Sequence, residues 1–189
     1  MEVIVASESG YDEAAYGMSL SFKDEKETYE RWWTKERKER MYNVLLANCK
    51  REGGHNKFLE SMVVHLDVKA PRYWWSEMDT YRVGTTKQSG STMHTLQNRG
   101  LTIEDFEYTE ETRYIIESFL LSINMARTTL SIQELKQLLP ESYLQRRLIC
   151  TNYKVLRNIK SQRKKHRLPE WQYFLKEVEL QVKYPEFLG

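Results

Sequence analysis

The chain has 189 residues, 40% of them hydrophobic and 30% charged, with a formal net charge of +2, so little that it selects no class of partner. That length predicts a single domain over residues 1–189, with room for a sizeable core. No apolar run approaches the ~20 residues needed to cross a bilayer, and the N-terminal residues lack a basic segment followed by a long apolar one, so neither a membrane span nor a secretory signal is expected.

In chain order, Val3 to Val5 reads as a short first strand. A long helical pattern follows from about Asp24 to Lys50, where Tyr29, Trp32, Trp33, Met41, Val44 and Leu45 recur near helical spacing, and Gly53-Gly54 ends it. After a Gly54-His55 turn and a short helical turn, Ser61 to Lys69 alternates with a period of two: Met62, Val64, Leu66 and Val68 against Val63, His65, Asp67 and Lys69. That is a strand with one buried face. A helix opens at Ala70-Pro71, because proline costs nothing in a first helical turn. Trp74 and Trp75 on it are expected in the core rather than as a base-stacking platform. Gly84 to Ser91 is rich in hydroxyls and poor in apolar residues, so it reads as a polar loop suited to a ligand.

Past the Asn98-Arg99-Gly100 loop, Thr109 caps a helix carrying Ile115, Ile116, Phe119, Leu120 and Ile123. Ser131 with Glu134 forms a capping box for a short helix ending at Leu139-Pro140. Tyr143 to Thr151 reads as a second principal strand. Asn152 opens a basic helix to about Arg167, and Pro169 starts a last helix to about Tyr184. Helices outweigh strands, which places the chain in the α+β class.

Chemistry-bearing spacings are few. His55 and Glu60 sit five residues apart across a turn, a spacing that by itself capping and surface hydrogen bonding explain better than a site does. The four histidines (His55, His65, His94, His166) have no metal-ligand spacing, so no metal site is expected. Cys49 and Cys150 are the only cysteines; both fall in apolar patterns and read as buried, reduced thiols of a cytoplasmic protein. The basic run Lys154, Arg157, Lys160, Arg163, Lys164, Lys165 and Arg167 is either a solvated helix face or a phosphate-binding stripe. Within it, Asn152 and Arg163 are eleven residues apart and return to nearly the same helical face, where an amide and a guanidinium can grip a planar or anionic ligand.

Taken together these pieces resemble the flavin-dependent thymidylate synthases. In that family a Gly-His, with a Glu four or five residues on, precedes a strand, an apolar helix and the signature R-H-R-x-x-S-x-N-x-x-S-x-R. Here Gly54-His55, Glu60, the strand and the Ala70-Pro71 helix follow in that order. Leu139-Pro140, a strand, Asn152, Asn158 and Arg163 then reproduce the spacing of the C-terminal half. The likeness runs from about residue 40 to 185. The signature itself departs: Arg82 and Thr85 match, Lys87 stands at the asparagine, and Thr80 and Ser91 or Thr92 stand where arginines would be.

The resemblance implies a helix-rich fold with a small central sheet, a homotetramer or at least a dimer, and FAD as cofactor, with NADPH and methylenetetrahydrofolate as co-substrates. It implies flavin contacts from His55, Arg82, Asn152 and Asn158. Arg163 would face the pyrimidine as the catalytic group, and Lys87, Gln88, Ser89 and Lys136 would join it in holding a pyrimidine nucleotide. The function so implied is methylation of dUMP or a related modification by a divergent member. A flavin- or nucleotide-binding protein on this scaffold without synthase activity, and a basic nucleic-acid-binding module, are the alternatives.

Overall fold

The computed structural model describes residues 1–22, 28–51 and 54–189, the side chains of His94 and Gln97 excepted. In chain order the elements are β1 (Glu2–Ser9), α1 (Tyr11–Ser19), α2 (Tyr29–Trp32), α3 (Lys35–Cys49), β2 (Val63–Pro71), α4 (Arg72–Met78), β3 (Thr86–Ser89), α5 (Thr92–Asn98), α6 (Glu110–Ala126), α7 (Ile132–Leu138), β4 (Leu144–Asn152), α8 (Tyr153–Arg163) and α9 (Pro169–Gln181). Short 3-10 turns add Leu20–Phe22, Lys57–Glu60, Ile103–Asp105 and Pro185–Leu188. The strands form one sheet in the order β1-β2-β4-β3. Register is antiparallel between β2 and β4: Arg72 N–H donates to Tyr143 O at one end, and Tyr153 N–H to Met62 O at the other.

The period of two in β2 does what it predicts. Val64, Leu66, Val68 and Ala70 are buried, while Val63, His65, Asp67 and Lys69 are half-buried on the other face. The strand runs two residues later than expected, through Pro71, which caps α4 rather than entering it. Trp74 and Trp75 are both buried, packed edge to face with centroids 4.9 Å apart. Cys49 is buried and Cys150 half-buried, both unpaired.

Other expectations are corrected. The single helix expected to run to Lys50 is broken at Trp33, which is extended, and Thr34 restarts it as α3 by accepting a hydrogen bond from Arg37 N–H at 3.3 Å. A β-branched hydroxyl residue competes well for a cap and poorly for a helix interior. The expected helix start near Asp24, and Gly53 of the expected stop, lie outside the described residues. Helix α1 was not anticipated. Gly10 caps it with φ of 87°, Asp12 and Glu13 occupy its first turn, and Ala14 and Ala15 are buried. The polar stretch Gly84–Ser91 is not all loop. It contains β3, at one end of the strand order, where Gly90 N–H donates to Arg146 O at 2.9 Å. An edge strand needs hydrogen bonds to one neighbour only, so it can form without an apolar face. Helix α8 ends at Arg163, short of the expected Arg167.

The chain divides into two compact units: Met1–Val3, Asp67–Arg82 and Lys87–Leu148 form one, and Ile4–Leu66, Val83–Thr86 and Ile149–Gly189 the other. The first unit has a core of Leu96, Leu101, Phe106, Ile116, Leu135 and Tyr143. Around it, Thr109 caps α6 and Ser131 caps α7; Ser131 N–H donates to Glu134 Oε2 at 2.8 Å and Glu134 N–H to Ser131 Oγ at 3.3 Å. The second unit gathers rings around buried Phe187, with Tyr184, Tyr42, Phe58 and Tyr153 at centroid distances of 5.6, 5.9, 6.0 and 6.4 Å. Each large ring so buried contributes roughly 1.5–3 kcal/mol.

An acid-sensitive contact sits in the first unit. Asp105 accepts from Arg99 Nη1 and Nη2 at 2.7 and 2.5 Å and from Thr102 N–H at 2.9 Å. Burial raises the Asp105 pKa, but Arg99 and the Thr102 N–H outweigh it, and the carboxyl titrates below its ordinary value. Its stabilisation is therefore complete above the unfolded pKa of about 3.9. It is lost as pH falls through the lower folded value. Asp105→Asn is expected to cost about 1–3 kcal/mol at neutral pH and to flatten the acid limb. Urea midpoints at pH 7 and pH 3 test this; an unchanged acid limb in the variant would show that Asp105 is not its source.

Candidate functional site

The candidate ligand-binding residues fall into two sets, one in each unit. In the second unit, strand β4 ends at Thr151-Asn152 and the chain turns into α8. Asn152 is the cap: its Oδ1 accepts from Val155 N–H at 3.0 Å, which leaves its amide N–H groups to donate. Buried Thr151 donates its hydroxyl to Gly84 O at 3.2 Å and meets the Thr85 hydroxyl at 3.2 Å. Gly84 has φ of 66°, and a Cβ there would lie 3.0 Å from Val155 Cγ2 and 3.1 Å from Asn152 Nδ2. Glycine at this position thus serves both the left-handed turn and the close approach. The outcome joins the two sequence blocks: Gly84 and Thr85 of the signature stretch lie against Asn152 and Thr151, respectively, of the C-terminal block.

The Gly54-His55 turn reaches the same helix. Lys154 hydrogen-bonds Asn56 Oδ1 and lies 3.8 Å from Glu60 Oε1. His55 and Glu60 are exposed. Asn158, exposed one and a half turns further along α8, accepts from Gln162 Nε2 at 3.2 Å, which again leaves the amide N–H groups as donors. Asn152 is a cap rather than a helical residue, so the expected amide–guanidinium grip along one face is altered at its first member. Arg163 closes α8 with its guanidinium carbon 4.8 Å over the buried Trp171 ring, a cation–π contact. Beside Asn152, Tyr153 donates to Glu8 Oε2 at 3.0 Å. Burial, then the Glu8 charge, pushes its pKa far up, so the phenol stays protonated.

In the first unit, Lys87 Nζ donates to Tyr81 O at 3.2 Å and lies 3.3 Å from Asp79 Oδ1. Arg147 Nη1 reaches both Asp79 oxygens at 3.0 Å, and its guanidinium carbon stands 4.4 Å over the Trp75 ring. Arg82 is exposed, as are Gln88 and Ser89 on β3 and Lys136 in the last turn of α7. Arg147, Asp79 and Thr151 were missed from sequence. The Arg146-Arg147 pair on a strand was visible, and alternation puts one on each face. Their partners were not: Arg146 pairs with Glu2 and Asp67, Arg147 with Asp79.

Among the described residues no group of His, Cys, Asp or Glu could hold a metal ion, and no helix is long and apolar enough to cross a membrane. In the second unit, the amide N–H groups of Asn152 and Asn158 and the Arg163 guanidinium are donors of the kind that suits carbonyl or phosphate oxygens.

No family model and no curated protein matches the chain. Solved structures do, and two of them are of ThyX from Helicobacter pylori. The crystal structure of flavin-dependent thymidylate synthase ThyX from Helicobacter pylori complexed with FAD and dUMP has a TM-score of 0.77 at 16% identity, covering 100% of this chain and 98% of that chain. A second structure of ThyX from Helicobacter pylori with FAD and dUMP has a TM-score of 0.74 at 17% identity, covering 100% and 96%. The chain therefore has the helix-rich α+β fold of the flavin-dependent thymidylate synthases over its whole length.

Proposed function

We propose that this protein is a divergent flavin-dependent thymidylate synthase-like protein that binds FAD and a pyrimidine nucleotide. The observation that carries the reading is the contact of Gly84 and Thr85 with Thr151 and Asn152, since the two stretches that resemble the family in sequence pack together on a chain of that fold. FAD, when bound, supplies redox chemistry, with NADPH and methylenetetrahydrofolate as the co-substrates the family uses. The chain's own residues bind and orient. Asn152, Asn158 and His55 donate to the flavin's acceptor edge, with Arg82 as the charged contact. Arg163, in contact with the Trp171 ring, faces the pyrimidine ring, where a fixed positive charge stabilises electron density on its oxygens. Lys87, Gln88, Ser89 and Lys136 hold the nucleotide's phosphate. The assembly is proposed as a homotetramer, or at least a dimer, and a stable monomer in sedimentation at micromolar concentration would refute that part.

Arg82→Ala is expected to lose about 1.5–3 kcal/mol of flavin binding, roughly tenfold to a hundredfold in affinity, with Asn158→Ala losing less because its hydrogen bonds are uncharged. Both residues are exposed, so folding should be intact by circular dichroism. Wild-type flavin content in both variants, read from absorbance at about 450 nm, would place the cofactor elsewhere.

A specific observation favours the second reading, a flavin- or nucleotide-binding protein without synthase activity. Thr80 and Ser91 or Thr92 replace guanidinium forks, and Lys87 is already engaged by Asp79. Two missing charge-assisted contacts of about 1.5–3 kcal/mol each would weaken dUMP by at least about two orders of magnitude. Weak or absent dUMP methylation is therefore expected. Tritium release from labelled dUMP with NADPH, FAD and methylenetetrahydrofolate decides it, and ordinary turnover would restore full synthase activity.

A further inference from the structure

In the first unit the Lys87, Arg147 and Asp79 cluster holds two cations against one carboxylate, and the exposure is uneven. The side chains of Lys87 and Arg147 are 13% and 17% exposed, that of Asp79 48%. Both cations are also anchored without Asp79. Arg147 lies on the Trp75 face and donates from Nε and Nη2 to Gln145 Oε1 at 3.1 and 2.9 Å; Lys87 donates to Tyr81 O. Asp79, by contrast, stands one residue past α4, at the end where helix carbonyls gather and a negative charge is disfavoured. The exposed member of the cluster is thus the one with the least else to hold it. Thr86, Gln88 and Ser89 expose hydroxyl and amide groups on the same strand as Lys87.

We propose that Lys87 and Arg147 form a preassembled phosphate-binding site in which Asp79 is a resident counter-ion, displaced when a phosphate monoester binds. A phosphate dianion offers more acceptor oxygens and more charge than a carboxylate to the same two cations, so exchange is favourable. Arg147 thereby becomes a substrate-binding residue. It supplies from β4 a guanidinium of the kind the signature stretch lacks at Thr80 and at Ser91 or Thr92. The identity of the ligand as a nucleotide rests on the function proposed above; the phosphate site does not.

The test is calorimetric titration of inorganic phosphate, dUMP and deoxyuridine into the protein, as wild type, Asp79→Asn and Arg147→Gln, in a buffer without other polyvalent anions. Removing the competing carboxylate should tighten phosphate and dUMP about tenfold in Asp79→Asn, while Arg147→Gln weakens both by at least about tenfold. Deoxyuridine, which has no phosphate, should not distinguish the three proteins. A gain of affinity cannot come from misfolding, so Asp79→Asn decides even if Arg147→Gln is unstable. Phosphate affinity in Asp79→Asn at or below wild type would overturn the proposal and make Asp79 a structural ion-pair partner. The phosphate titration needs neither flavin nor turnover. A protein that binds no flavin and turns over no dUMP would fail the proposed function and leave this result readable.

Discussion

Gly10→Ala is expected to destabilise the protein by about 3 kcal/mol or more. Gly10 ends β1 and caps α1 with φ of 87° and ψ of 4°, a left-handed conformation. An L-residue pays roughly 1–2 kcal/mol there. Space adds to the cost: a Cβ at Gly10 would stand 2.0 Å from Ser61 O and 3.1 Å from Ser61 C, both main-chain atoms that no rotamer change can move. Backbone must shift at the entry to β2, and overpacking of this kind costs typically about 1–3 kcal/mol. Against a total stability of about 5–15 kcal/mol, the sum is large. Gly17→Ala on the same helix is the control. It is exposed, a Cβ there meets nothing within 4 Å, and it should stabilise by up to about 1 kcal/mol through helix propensity. Urea denaturation of the pair reads the contrast, and a Gly10→Ala midpoint equal to wild type would mean that β1 and the Ser61 turn do not approach as described.

The second large effect is at Trp75. Its ring is buried, stacks beneath Arg147, meets Trp74 edge to face, and donates Nε1–H to Gln145 O at 2.9 Å. Trp75→Ala empties a large volume and leaves that carbonyl without its partner, for a loss of about 3–5 kcal/mol. Trp75→Phe keeps an aromatic face for Arg147 but no N–H donor, and should lose about 1–3 kcal/mol. The pair separates packing from positioning. Stability falls in both, in that order, while phosphate affinity falls chiefly in Trp75→Ala, where Arg147 loses the surface that orients it. Equal phosphate affinity in a folded Trp75→Ala protein would show that Gln145 and Asp79 place the guanidinium without the ring.

Much of the architecture was legible from local pattern. The alternation from Met62 to Lys69 placed β2 within two residues, because one face of that strand is buried and the period is therefore imposed on the sequence. Thr109 and Ser131 announced α6 and α7 through hydrogen bonds that close within four residues, and Pro169 announced α9. The ordered spacing of Gly54-His55, Leu139-Pro140 and Asn152 was enough to anticipate the fold that the two solved structures share with this chain over its whole length.

What the sequence determined by itself was whatever its own near neighbours enforce: periods, caps, and the burial of Trp74 and Trp75. Tertiary structure decided the rest. Helix α1 has no side-chain cap to announce it; it is set by Gly10 meeting Ser61, residues fifty-one apart in the chain. Strand β3 has no apolar face and exists because β4 offers it hydrogen bonds. Arg147 looked like any strand arginine until Trp75, Asp79 and Gln145 were placed around it. A local hydrogen bond or an alternating face leaves its mark in a few consecutive residues, whereas a charge's partner is chosen by the fold and leaves none.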